Sequence, residues 1–193
     1  MTDFTDVTQP TTSWAGGESL RVANHSFEDG IGSFPDDWDN FGVSGRVWSW
    51  ASNNAQDGTR YLRIDSATNS GSILISAVAC AIKAGKTYTI RYWYKLSNGG
   101  SNNYIMFRLV RVRSSNGALF QQVVPAAIVN NTKATEWAEK THTFTSDFTG
   151  LVYVWVTGVC PIGNYVCVDN ISLTRAGTTF TDVVPVPTDW SDA

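Results

Sequence analysis

Charge is scarce in this chain: of 193 residues, 14 are Lys or Arg and 17 are Asp or Glu, for a net charge of -3. So few basic residues give no electrostatic reason to bind nucleic acid or an anionic membrane. The only basic cluster, Arg108, Arg111 and Arg113, is split by strand alternation, which sends Arg108 to one face and the other two to the opposite face. Long apolar runs are missing too. None approaches the roughly 18 residues that span a bilayer. The opening Met1-Thr2-Asp3-Phe4-Thr5-Asp6 is acidic and lacks the apolar core of a secretory signal, so synthesis in a cytosol is expected. The sequons at Asn24, Asn130 (Asn130-Asn131-Thr132) and Asn170 are then unused, and the cysteines are expected to be free thiols.

Cysteine is rare and odd in number: Cys80, Cys160 and Cys167, with no Cys-x-x-Cys pair. A hairpin centred on Pro161-Ile162-Gly163-Asn164 would set Cys160 opposite Tyr165 rather than Cys167. Catalytic signatures are missing as well. There is no Gly-x-Ser-x-Gly, P-loop or dinucleotide fingerprint. His25 and His142 have no metal-ligand spacing around them, and Asp36, Asp37 and Asp39 read as a solvated acidic loop. No enzyme is expected. No long segment keeps a helical period either.

What the chain does have is aromatics, with 8 Trp, 7 Tyr and 9 Phe, and period-two runs divided by polar turns. Thr87 to Leu96 puts Tyr88, Ile90, Tyr92 and Tyr94 on one face and Arg91, Trp93 and Lys95 on the other. Residues 103–113 place Ile105, Phe107 and Leu109 together, and further strands are read at Trp137 to Phe144, Leu151 to Thr157 and Tyr165 to Thr174. Eight to ten such strands, spaced by about 8–12 residues, predict an all-β jelly-roll sandwich over 18–176.

Two extended arms flank that region, 1–17 and 177–193, and they resemble each other. Phe4-Thr5-Asp6-Val7 with Thr12 and Trp14 repeats as Phe180-Thr181-Asp182-Val183 with Thr188 and Trp190, six identities in eleven positions. Units this short cannot fold alone, and extended segments with proline and large aromatics suit docking on another surface.

The domain also resembles a known family. Asn24-His25-Ser26-Phe27-Glu28-Asp29-Gly30 with Pro35 and Trp38, then Asp57-Gly58-Thr59-Arg60-Tyr61-Leu62, then Gly85 to Lys95, then Val166 to Leu173, are similar in order to landmarks of carbohydrate-binding modules of families four, nine and twenty-two. The resemblance implies a galactose-binding-like jelly roll. It also implies a structural calcium ion held by Glu28 and Asp169 with backbone carbonyls, although Val168 stands where the family often has a second Asp. Sugar recognition by such modules needs aromatic platforms edged by polar groups; Trp93 with Arg91, or Tyr153 with Trp155, are the candidates, and Trp48 with Trp50 would line a wall.

The arms are similar to Trp-containing repeats of phage structural proteins. Two functions are therefore expected. The first is a virion-surface decoration, cement or tail protein whose arms dock Phe4, Val7 and Trp14, and Phe180, Val183 and Trp190, on major capsid or tail proteins or on copies of itself as a homo-oligomer. The alternative is a carbohydrate-binding module or receptor-binding tail component that recognises host surface glycans.

Overall fold

The computed structural model describes residues 19–20, 22–32, 34–42, 48–65, 70–76, 80–98, 102–111 and 121–175. The arms at 1–17 and 177–193, with Phe4, Val7, Trp14, Phe180, Val183 and Trp190, lie outside the described residues. Twelve strands run through the described part: β1 (Ser19–Leu20), β2 (Trp38–Gly42), β3 (Ser49–Ser52), β4 (Arg60–Asp65), β5 (Ser70–Ser76), β6 (Cys80–Ile82), β7 (Thr87–Leu96), β8 (Tyr104–Arg111), β9 (Gln121–Asn130), β10 (Ala134–Thr145), β11 (Gly150–Cys160) and β12 (Tyr165–Arg175). They form two antiparallel sheets. Sheet one has the order β10-β7-β12-β4-β3, with β1 also on β12; sheet two has the order β2-β5-β11-β8-β9, with β6 also on β11. The molecule is the jelly-roll sandwich that the period-two pattern predicts.

Alternation explains why these segments are strands and which side each buries. On β7, Tyr88, Ile90, Tyr92, Tyr94 and Leu96 enter the core, and on β11 Val152, Val154 and Val156 do so. Branched and aromatic side chains pack well on a pleated surface, and burying each large one contributes about 1.5–3 kcal/mol. The sheets meet where Tyr92 of β7 stacks on Phe107 of β8, ring centroids 3.9 Å apart. Trp48 is 1% exposed inside the same core, and Trp50 packs against it. The indole of Trp50 donates to the Phe27 carbonyl at 2.7 Å. Trp48 therefore fills the sandwich, and Trp50 stands half-buried against it.

The Pro161–Asn164 turn also differs from the expected hairpin. It carries the chain from β11 in sheet two to β12 in sheet one, and those strands do not pair. Two packed sheets need such a crossover, and a local turn pattern cannot distinguish it from a hairpin. Cys80, Cys160 and Cys167 are free and buried. Burial pushes the Cys80 thiol up to about 11 and that of Cys167 up to about 12, so neither forms thiolate readily near neutral pH.

On β12 a bulge lies between Asp169 and Ser172, opposite Trp93 and Arg91 of β7. Asn170, at φ 46°, takes up the extra residue. The bulge lets Val168 and Ile171, three positions apart, both reach the core. It leaves Asp169 on the other side, facing away from the core yet 0% exposed. What covers it is the 53–60 loop.

Candidate functional site

Three polar features stand outside the core, and each is built by the strand positions described above. The first is the 53–60 loop. Asn53 and Asn54, at φ 68° and 70°, start it in the left-handed region that Asn tolerates. Asp169 Oδ2 accepts from the amides of Gln56 at 2.8 Å and Asp57 at 3.2 Å, and Oδ1 accepts from Asn170 at 2.8 Å. Glu28 Oε1 accepts from the amides of Thr59 and Arg60 at 3.0 and 2.8 Å, and Oε2 accepts from the Thr59 hydroxyl at 2.9 Å. Gly58, at φ 64°, leaves the space that the Glu28 carboxylate fills.

These are the two carboxylates expected to hold calcium, and their surroundings do not fit that ion. Every oxygen of both already faces an N–H or O–H donor, whose positive end repels a cation. The neighbouring carbonyls are engaged as well: His25 accepts from the Ile171 amide, Asn24 from the Trp38 indole, and Phe27 from the Trp50 indole. Calcium needs about six to eight oxygen ligands. Among the described residues, no group of three or more His, Cys, Asp or Glu is arranged to hold a metal. The opening segment is tied to the closing strand by protein hydrogen bonds through this loop, which serves the purpose expected of the ion.

The second feature is the outer face of sheet one, where Arg91, Trp93 and Lys95 project from β7. Its cations are paired within the protein. Arg91 meets Glu139 at 3.9 Å, and Arg63 meets Asp65 at 2.6 Å. Lys95 sits 4.7 Å from the ring centre of Trp137, which also packs edge-on against Tyr61 and donates its indole N–H to the Asn54 carbonyl at 2.7 Å. Trp137 and the 53–60 loop thus roof part of this face. Trp93 is partly buried, in register with Asp169 and Glu139.

The third feature is the outer face of sheet two. Because Val152, Val154 and Val156 point inward, Tyr153, Trp155 and Thr157 of β11 point outward and are each partly exposed. The Trp155 indole N–H donates to Thr157 Oγ1 at 2.9 Å, which fixes the ring along the strand. Arg108 of β8 is the register partner of Trp155. Among the described residues its Nε is buried without an acceptor, and one terminal nitrogen lies 3.5 Å from the Met106 sulfur. Leu151 and Val129 leave this sheet 60% and 52% exposed.

The four candidate sugar-binding residues therefore do not form one site. Trp93 and Arg91 are on the outer face of sheet one, and Tyr153 and Trp155 are on that of sheet two, with the sandwich core between them. Sequence reasoning noticed Arg108 only as a strand residue separated from Arg111 and Arg113. Its pairing with Trp155 depends on a β8–β11 register between segments some forty residues apart in the chain. No local pattern carries that information.

Two antiparallel sheets packed face to face place the protein among the β-sandwich modules. The family model described as "Carbohydrate binding domain" matches residues 21–159, and the chain belongs to that family. No curated protein matches the sequence. Among solved structures, it is similar to TmCBM61 in complex with β-1,4-galactotriose, at 18% identity, 82% of this chain, 99% of that chain and a TM-score of 0.57. It is also similar to the CBM22-1 xylan-binding domain of Paenibacillus barcinonensis Xyn10C, at 16% identity, 85% and 98% coverage and a TM-score of 0.53. An apo cyclase from Fischerella sp. shares 16% identity over 86% of this chain and 100% of its own, with a TM-score of 0.59. At these identities the likeness is one of fold, and a fold by itself assigns no activity.

Proposed function

We propose that this protein binds carbohydrate on the outer face of sheet two, with a sugar ring stacked on Trp155. The family match supports the ligand class, and the observation that carries the choice of face is the Trp155–Arg108 pair. An indole anchored through its N–H to Thr157 offers an apolar platform to the C–H face of a pyranose, and the guanidinium of its register partner Arg108 offers donors to the ring's oxygens. Tyr153 extends the aromatic surface along the strand. On sheet one Arg91 lies beside Glu139 and Lys95 over the Trp137 ring, so a ligand there would compete with those contacts.

Isothermal titration against a panel of soluble cell-wall and storage polysaccharides tests this reading. Trp155→Ala is expected to weaken binding about 10- to 150-fold, the equivalent of losing about 1.5–3 kcal/mol of aromatic burial. Trp93→Ala is expected to leave it within about twofold, since stray surface contacts contribute little. The opposite pattern, loss with Trp93→Ala and retention with Trp155→Ala, would move the site to sheet one.

The matched Phe-Thr-Asp-Val…Trp arms favour a second, compatible reading. In it the sandwich is a virion decoration or tail component, anchored by Phe4, Trp14, Phe180 and Trp190 while it presents its sugar face outward. Anchors at both ends gain from multivalency. Deleting 1–17 and 178–193 together should then abolish association with particles and spare saccharide binding. A doubly truncated protein that still sediments with particles would end the arm reading.

A further inference from the structure

The charge layout of sheet two says more about the ligand. The segments of β5, β6, β8, β9 and β11 contain no Asp or Glu. The single carboxylate residue in this sheet is Asp39 on β2. Register places Asp39, Ile75, Trp155 and Arg108 in one row across β2, β5, β11 and β8. Three strand spacings separate the backbones at its two ends, about 14 Å. Arg108 cannot close that gap with its own side chain. Among the described residues, the two ion pairs are Arg63–Asp65 and Arg91–Glu139. Among the described residues Arg108 is thus a partly buried cation with no counter-charge, its Nε without a hydrogen-bond partner and one terminal nitrogen on the Met106 thioether.

A partly desolvated guanidinium is costly to the fold unless an anion meets it. The planar fork matches a carboxylate, and such charge-assisted bonds are roughly twice as strong as those to neutral hydroxyls. Building on the saccharide reading of this face, we infer that its preferred ligand is an acidic saccharide, in which a uronate carboxylate pairs with Arg108 while the ring stacks on Trp155. Asp39, at the far end of the row, accepts from hydroxyls of a neighbouring unit and disfavours a second carboxylate there.

The test compares three acidic probes with their carboxyl-reduced, neutral forms: oligomers of galacturonate, oligomers of mannuronate and a glucuronate-decorated xylan. Each is titrated into the full-length protein at low and moderate salt. At least one acidic probe is expected to bind about tenfold or more tightly than its reduced form, and the preference should shrink as salt rises. Arg108→Gln should bring the acidic-to-neutral ratio close to one, with a thermal midpoint equal to or above that of the parent, because an uncompensated cation has been removed. Arg108→Lys, which keeps the charge without the fork, should retain part of the preference and guards against a misfolded Gln variant. If acidic and reduced forms bind equally, or the preference survives Arg108→Gln, the acidic assignment is overturned while the saccharide site stands. Failure of every acidic and neutral probe to bind would overturn both.

Discussion

Asp169→Ala is expected to lower the unfolding free energy by about 3 kcal/mol or more, because three amide donors lose a buried acceptor together. The amides of Gln56, Asp57 and Asn170 converge on its two oxygens, and water cannot enter to replace them while the loop stays closed. Domains of this size are stable by roughly 5–15 kcal/mol, so the loss should be plain in urea denaturation. Asp169→Asn should cost less, yet still measurably, since one face of the amide presents N–H against N–H. A midpoint unchanged in the Ala variant would show that the loop does not depend on this carboxylate.

The same residue sets a pH dependence. Burial pushes the Asp169 carboxyl up from 3.8 to about 7, opposed by the three amide bonds that favour its charged form. Its pKa is therefore higher in the folded state than in the unfolded one. Below pH 3.8 both states hold the proton and this contribution to stability is whole. Between 3.8 and about 7 the unfolded state releases the proton while the folded state keeps it, so stability falls as pH rises, by at most about 1.4 kcal/mol per unit. Above about 7 the contribution is flat. Urea midpoints measured across this window should decline with rising pH in the parent protein. In Asp169→Asn that component of the slope should vanish, and an identical slope in both proteins would assign it to other groups.

Gly158→Ala is the second substitution expected to have a large effect, and its cause is excess volume. Gly158 of β11 faces the core at the point where sheet two meets sheet one. A methyl there would lie 2.6 Å from Ile64 Cδ1 and 2.8 Å from Trp48 Cζ2. Trp48 and Ile64 are both enclosed by the core, so neither can retreat without moving its neighbours. Overpacking of this kind costs about 1–3 kcal/mol, and the upper end is expected because two rigid groups must yield. Trp48→Phe added to Gly158→Ala should recover part of the loss by returning volume at the contact. A thermal midpoint for Gly158→Ala within about one degree of the parent would mean that the sheets separate more easily than this packing implies.

How much of this was readable in the residue string follows from the range of each interaction. Alternation along a strand is local, so the inward set Tyr88, Ile90, Tyr92 and Tyr94 and the outward set Arg91, Trp93 and Lys95 could be read from β7 alone. The inward Val152, Val154 and Val156 of β11 were legible for the same reason. Trp48 and Trp50 depend on more than alternation. Two tryptophans on one strand face look the same whether that face meets solvent or another sheet, and only the arrival of Gly158 and Ile64 from other strands decides it. Glu28 and Asp169 show another limit. Their positions suit a cation, but the donors that occupy them come from a loop more than a hundred residues away from Asp169.

The sequence by itself determined an all-β sandwich, its strand faces, its family resemblance and its lack of catalytic motifs, because period, turn chemistry and composition act over a few neighbouring residues. Tertiary structure decided the rest. Pairing across strands put Trp93 and Trp155 on opposite outer faces, set Arg108 beside Trp155, and brought the 53–60 loop over Asp169. Register and sheet order are properties of the closed fold, since each depends on the whole core settling into one packing. The binding face, which depends on both, is legible only there.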